Sequence, residues 1–312
     1  MNTYMLKKLL RAGADLYKSM RRPFRPRVIM TLLVKNEEQM LEQNLLFHKN
    51  MGVDAFIVTD NNSTDGTPGI IRRYVEKGWI VEAIEERAED YEQKRWVDRM
   101  IWLAKTRHGA DWVVNADADE FWYSPAGSLK AEMTATGANV LACEMRSVYP
   151  EEGRPWQEWA RTVRAVPDQA AYGLSPYSIF ERQNKKVMHR TDGYVQISMG
   201  NHKVRLVPQR ERRCGVVVYH YNVRGRRQFV EKMVNGGRQL EQHKGRHGGR
   251  HWRHFYALWK EGRLDEEYDR VVGTAVLPRL MREGYLVDEP EWPRLLRQYS
   301  AAPADGDAQQ RL

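Results

Sequence analysis

Trp112-Val113-Val114-Asn115-Ala116-Asp117-Ala118-Asp119-Glu120-Phe121 carries a short apolar run straight into a cluster of acids. Its valines and its length suit a buried strand. The strand would deliver Asp117 and Asp119 together near its end. Carboxylates spaced this way can hold Mg²⁺ or Mn²⁺, which favour oxygen ligands and keep positions open for phosphate. Such an ion neutralises charge on a departing diphosphate. Taken alone, the same residues also describe a solvated acidic turn.

Upstream, Val28 to Val34 is a continuous apolar run, followed by the polar Lys35-Asn36-Glu37-Glu38-Gln39. Met40, Leu41, Leu45, Phe47 and Met51 then recur at helical spacing, and Gly52 closes the pattern. Ala55 to Thr59 reads as a second strand. It exits into Asp60-Asn61-Asn62-Ser63-Thr64-Asp65-Gly66-Thr67, a loop of turn formers. Pro68 suits the first turn of a helix that ends at Gly78. Trp79 to Ile84 reads as a third strand, and Tyr91 to Thr106 as a long helix. Strands and helices therefore alternate, which predicts an α/β fold with a doubly wound, mostly parallel sheet flanked by helices. In such sheets the ligand crevice borders the carboxyl ends of the strands.

The rhythm changes after residue 123. Asn139 to Tyr149 and Val216 to Tyr221 read as further strands. Residues 150–200, with Trp156, Trp159, Tyr172, Tyr177 and Tyr194, read as a long loop-rich insertion whose aromatics either stack a ligand or form a small core. Residues 226–262 read as basic C-terminal helices, and the tail from residue 301 as disordered. The expected division is a basic amphipathic helix within 1–27, an α/β half at 28–125, a sheet-completing half at 126–225, and a helical region at 226–300.

The chain has 312 residues, 42% of them apolar, and a net charge of +9. Residues 1–27 hold eight Lys/Arg against one Asp, and residues 203–263 sixteen against four Glu, so the rest is acidic. That asymmetry argues against a nucleic-acid binder. Residues 5–20 form an amphipathic pattern suited either to the protein's own core or to an anionic membrane surface. No apolar run is long enough to span a bilayer, and no secretory signal is evident, so a cytoplasmic protein, peripheral at the inner face of the plasma membrane, is expected. Cys143 and Cys214 are far apart in sequence and form no disulfide framework.

Met30-Thr31-Leu32-Leu33-Val34-Lys35-Asn36-Glu37, Val58 to Thr67 and Ala116 to Trp122, in that order, resemble the family 2 glycosyltransferases of GT-A fold, most of all their bacterial family 2-like branch. The resemblance is specific over residues 28–123. It implies an inverting transfer from a nucleotide-diphosphate sugar, bound by the half at 28–125, to a glycan or lipid-linked acceptor, bound by the half at 126–225, with Mn²⁺ or Mg²⁺. It implies that Glu37, Asp60 and Asp65 contact base and ribose, and that Asp117 and Asp119 serve the diphosphate and metal, Asp119 as the firmest ligand. Asn61 and Asn62 stand where the common family loop has Asp and Gly.

Several further residues are candidates. Asn36 joins Glu37 in the first loop. Lys94, Arg95, Lys232, Arg224 or Arg227 could reach phosphate. His202 and His220 could add a metal or phosphate ligand, although a lone strand histidine is more often a satisfied core residue. The catalytic base must reach the acceptor hydroxyl. Glu181, Asp192 and Asp168 are open for that role, in that order of preference for the first two. A nucleotidyltransferase would carry a Gly-rich basic loop after the first strand, where this chain has Lys35 to Gln39. A non-catalytic polyanion or membrane module would leave the acidic motifs without a task.

Overall fold

The computed structural model describes residues 25–87, 93–242 and 249–302. The amphipathic segment 5–20, residues 243–248 within the basic C-terminal stretch and the tail from residue 303 lie outside them. Strands β1 (Val28–Val34), β2 (Ala55–Asp60), β3 (Ile80–Glu85) and β4 (Trp112–Ala116) alternate with helices α1 (Leu41–Asn50), α2 (Thr67–Glu76) and α3 (Gln93–Thr106). Then come β5 (Glu120–Tyr123), α4 (Leu129–Thr134), β6 (Val140–Ser147), β7 (Arg161–Val163), β8 (Lys186–Arg190), β9 (Tyr194–Ile197), β10 (Val204–Leu206) and β11 (Glu211–His220). Helices α5 (Arg226–Gln242), α6 (Arg250–Lys260), α7 (Leu264–Val272) and α8 (Leu277–Arg282), strand β12 (Leu286–Asp288) and helix α9 (Glu291–Ser300) complete the order.

Eight strands form one sheet in the order β3-β2-β1-β4-β8-β6-β11-β5. Strands β1 to β4 pair in parallel, and β6 pairs in parallel with β11. Only β8 and β5 run the other way. The carboxyl ends of β1, β2, β4, β6 and β11 therefore share one edge with the amino ends of β8 and β5. Glu37, Asp60, Asp117, Lys186 and His220 stand at or just beyond that edge.

Alternate residues of the central strands feed opposite faces, as the period of two requires. Val28, Met30 and Leu32 pack with α1, α2 and α9 through Leu41, Leu45, Ile71, Tyr74 and Trp292. Ile29, on the other face, packs with Val97, Met100 and Ile101 of α3 and with the β9–β10 ribbon. Each fully buried side chain of this kind contributes about 1.5–3 kcal/mol. Gly52 follows α1 at φ +93°, and a Cβ there would lie 2.5 Å from Ser128 Oγ, so only glycine fits. A second core, with Phe180, Phe229, Phe255, Tyr268 and Leu280, unites residues 149–286.

One feature differs from the sequence reading, and one alternative left open there is decided. Lys186-Val187-Met188-His189-Arg190, inside the supposed loop-rich region, is a central strand with all five residues buried. Its three basic residues hide the strand signal: Lys186 is paired with Asp117 and Glu120, distant in sequence, Arg190 with the nearby Asp192, and burial keeps His189 neutral. Trp156 and Trp159 belong to the core: both rings pack on Tyr221, and Trp156 also on Phe121. Among the described residues no helix is long and apolar enough to cross a membrane.

Candidate active site

Helix α1 sets the position of the acidic stretch. Asn44, fully buried, donates from Nδ2 to the carbonyls of Ala118 at 3.0 Å and Glu120 at 2.8 Å. One turn on, His48 Nε2 accepts the Trp122 N–H at 3.0 Å. Burial pushes the His48 imidazole down to about 3, so it stays neutral and can accept. A second buried relay steadies the strand itself. Thr31 Oγ1 donates to Asn115 Oδ1 at 2.7 Å, and Asn115 Nδ2 meets His189 Nε2 at 3.1 Å. Burial likewise lowers His189 to about 4. Leaving such groups unpaired costs about 1–3 kcal/mol each, so the backbone of Asn115 to Trp122 is tightly held.

The loops after β1 and β2 are laced together. Asn36 N donates to Ser63 Oγ at 2.9 Å, and Thr64 N donates to Asn36 Oδ1 at 2.8 Å. Glu37 N donates to Thr67 Oγ1 at 2.8 Å, and Glu38 N to Asp65 Oδ2 at 3.1 Å. Asp60 Oδ1 accepts from the Ser63 hydroxyl at 2.5 Å. Asn36 and Asn62 both hold φ of +55°. Asparagine tolerates that left-handed conformation best after glycine, which accounts for Asn62 at a position where the resemblance expects glycine.

Around the end of β4 acids and cations interleave. Lys186 Nζ lies 3.2 Å from Asp117 Oδ2 and 2.5 Å from Glu120 Oε1. Burial opposes the charge on Lys186, but Asp117 and Glu120 outweigh it and raise its pKa. Asp119 faces Lys232 Nζ at 3.3 Å and His220 Nε2 at 3.5 Å. Burial alone would raise the Asp119 carboxyl; Lys232, His220 and Arg224 hold it well below its ordinary range. Glu37 pairs with Arg224 at 2.9 Å. Burial pushes Glu37 up to about 7, with Arg224 opposing and Asp119 adding to the rise. Burial similarly pushes Glu120 up to about 7 against the pull of Lys186. His202 Nδ1 lies 3.1 Å from the Lys185 carbonyl, and burial and the charge of Lys186 lower its pKa.

The structure thus gathers Glu37, Asp117, Asp119, His202, His220, Arg224 and Lys232 at one edge, with Asp60 and Asp65 in the neighbouring loop. Lys94 is exposed on the first turn of α3. Arg227 points outward with 92% of its side chain exposed, paired to Glu231. The three candidate bases separate. Glu181 is exposed, five residues before Lys186, and feels Arg250. Asp168 caps the turn at Ala171. Asp192 follows the carboxyl end of β8, where Arg190 pairs with Trp112. Roughly 13 Å of strand separates Arg190 from Lys186, so Asp192 lies at the opposite edge, ion-paired to Arg190 at 3.3 Å. It has no place among the groups around Asp119. Sequence reasoning misses Lys186 and Glu120. A hidden strand masks Lys186, and Glu120 reads as an ordinary neighbour of the acid pair.

A family model for glycosyltransferase family 92 matches residues 30–251, from β1 into α6. The chain belongs to glycosyltransferase family 92. The resemblance drawn from the motifs therefore holds for glycosyltransferases as a class, while the matching family is distinct from family 2. The match takes in every residue gathered around Asp119. A lipopolysaccharide core biosynthesis glycosyltransferase, LpsC of Rhizobium meliloti (strain 1021), is 25% identical over 147 residues, 47% of this chain and 46% of that protein. The chain thus aligns with about half the length of this curated relative. Among solved structures, the mannosyltransferase PcManGT from Pyrobaculum calidifontis, in complex with GDP-Man and Mn²⁺, is 16% identical with a TM-score of 0.40, covering 99% of this chain and 96% of that one. S. aureus TarS 1-349 is 15% identical with a TM-score of 0.38, covering 81% and 74%.

The family 92 site can be tested for its fit to a divalent cation. Among the described residues, no three His, Cys, Asp or Glu side chains form a ready-made cage. Asp117 and Asp119 still offer oxygen donors beside the His220 imidazole, whose buried Nδ1 has no hydrogen-bond partner. Lys232, 36% exposed, already places a positive charge against Asp119 and is free enough to yield that place. Few protein ligands with room for phosphate oxygens is the pattern that Mg²⁺ and Mn²⁺ accept. The residues fit.

Proposed function

We propose that this chain transfers a sugar, with inversion, from a nucleotide-diphosphate donor to a glycan or lipid-linked acceptor, aided by Mn²⁺ or Mg²⁺. The observation that carries this reading is the set of interleaved charges around Asp119, at the carboxyl edge of a parallel sheet, in a family 92 chain. Asp60 and Asp65, in the loop after β2, would receive the nucleoside. Asp119 and Asp117, with His220, would hold the cation, which supplies charge neutralisation for the departing diphosphate. Lys232 and Arg224, already paired with Asp119 and Glu37, would take the phosphate oxygens, and His202, near Asp117 and His220, would add to them. Lys186, paired with both Asp117 and Glu120, would hold them in position.

Glu181 is the acid we assign as base. It is exposed, five residues ahead of Lys186 in the chain, so an incoming hydroxyl would have access to it. Partial burial already raises its pKa, which suits proton uptake. The lipopolysaccharide role in the name of LpsC favours a cell-envelope glycan as acceptor. The reading is tested by thermal unfolding with UDP-, GDP- and TDP-sugars, each with and without Mn²⁺. A metal-dependent rise in melting temperature with one donor is expected. No rise with any donor at millimolar concentration would overturn the proposal. A donor that binds but is not turned over by Glu181→Gln, while Asp119→Asn loses the metal-dependent rise, would separate base from metal ligand.

A further inference from the structure

The chain has only two cysteines, and the fold brings them together. Cys143 on β6 and Cys214 on β11 are 71 residues apart, yet their sulfurs lie 3.5 Å from each other. Both are free thiols. Cys143 is 1% exposed, whereas Cys214 is part-exposed. The pairing of β6 with β11 is regular as far as Arg213 and resumes at Val217, so Cys214 sits in the irregular stretch between. That stretch is tied elsewhere by Gly215 N, which donates to Glu132 Oε2 at 3.2 Å. The register break gives the backbone slack beside a thiol that must move by about 1.5 Å to reach a bonded sulfur.

We propose that Cys143 and Cys214 form a reversible dithiol–disulfide centre that takes a low-molecular-weight disulfide, such as glutathione disulfide, as its oxidant. The two thiols have the asymmetry that exchange needs. The bond from Cys143 lowers the pKa of Cys214, whereas burial raises that of Cys143. Cys214, the accessible thiol, attacks as its thiolate. It forms a mixed disulfide and expels one glutathione thiolate. Cys143 then gives up its proton and attacks the Cys214 sulfur. The Cys143–Cys214 bond forms and the second glutathione leaves. Two protein thiols are oxidised and one glutathione disulfide is reduced to two thiols. The new bond closes the loop that carries β7 to β10, and with it Lys186 and His202.

The test uses the full chain and does not depend on what the chain catalyses. Protein reduced and freed of reductant is equilibrated with mixtures of reduced and oxidised glutathione. It is then unfolded, alkylated and weighed. Both thiols should disappear together as the mixture becomes oxidising, without a lasting glutathione adduct or a cross-linked dimer. Dithiothreitol should restore them, and the oxidised form should melt several degrees higher. Cys143→Ser should trap glutathione on Cys214, and Cys214→Ser should leave Cys143 unmodified. Two thiols that stay titratable under fully oxidising glutathione, or a persistent adduct on the native chain, would overturn the proposal.

Discussion

Residues 28–123 bring acids to the site edge: Glu37, Asp117, Asp119 and Glu120. Residues 186–232 bring the cations: Lys186, Arg224 and Lys232, with His202 and His220 beside them. The acids arrive at strand ends, where the sheet fixes them directly. The cations arrive from a reversed strand, a turn and a helix, and four ion pairs join them to the acids. The difference teaches that neither half holds a stable site alone. Each would bury like charges without compensation, and a buried charge deprived of its partner costs several kcal/mol. The halves are bound by the same pairs that set the chemistry.

The largest way to break this arrangement is at Asp119, where both halves meet the proposed reaction. Asp119→Asn removes one negative charge from beside Lys232 and His220. Sugar transfer should fall about 1,000-fold, the scale for loss of one well-placed electrostatic group. Stability should change less, because Lys232 can turn to solvent. Steady-state rates beside a denaturation curve check both. A variant that keeps transfer within ten-fold of the native rate would remove Asp119 from the reaction.

Lys186 sharpens the comparison from the other side. Its side chain is 3% exposed and that of Glu120 is 0% exposed, so neither can reach water when the other is lost. Lys186→Met should destabilise the chain by about 3–5 kcal/mol. Lys186→Met with Glu120→Gln should recover part of that loss, since the one charge then left without Lys186, Asp117, is 35% exposed and can reach water. Equilibrium unfolding in urea reads both variants. Equal stability of the single and double variants would mean that the pair does not couple the halves.

Glu37 offers a smaller, pH-dependent test. Its folded pKa, about 7, lies above its ordinary 4.5. A raised carboxyl binds its proton more tightly when folded, so its stabilisation is complete below pH 4.5 and is lost as pH rises through 7. Up to about 3 kcal/mol should disappear across that window. Glu37→Gln should remove this slope, whatever it does to the absolute level by leaving Arg224 unpaired. Melting temperatures between pH 4.5 and 8, in metal-free buffer, give the slope. Parallel curves for native and variant protein would show Glu37 ionised throughout.

The two halves also differ in how far the sequence reveals them. The parallel order of β1 to β4 follows from apolar runs and turn formers, and Glu37, Asp117 and Asp119 follow from standing where those runs end. The strand of Lys186 to Arg190 carries no such signal. Its burial depends on Asp117, Asp192 and Glu120, which periodicity cannot pair with it. Asp192 stands out as an acid in the right span, but register alone decides which edge it occupies. His220 is legible as a histidine in an apolar strand, and only the pairing with Glu120 in β5 places it beside Asp119. Cys143 and Cys214 look unrelated in the chain because parallel strands bring together residues of any separation.

The mildest prediction lies within α5. Arg227 and Lys232 share this helix and carry the same charge, and spacing alone allows either to reach a diphosphate. Lys232 meets Asp119, whereas Arg227 forms an i,i+4 pair with Glu231 on the solvent side, their side chains 92% and 60% exposed. An exposed pair of that kind is worth only about 0.3–0.5 kcal/mol and weakens with salt. Arg227→Ala should therefore leave the melting temperature within about a degree or two and transfer within about two-fold. Donor titrations at low and high ionic strength provide the check. A salt-dependent loss of donor affinity in Arg227→Ala would mean that positive charge on the outer face of α5 serves the site, and that the cationic half extends beyond the groups in contact with the acids.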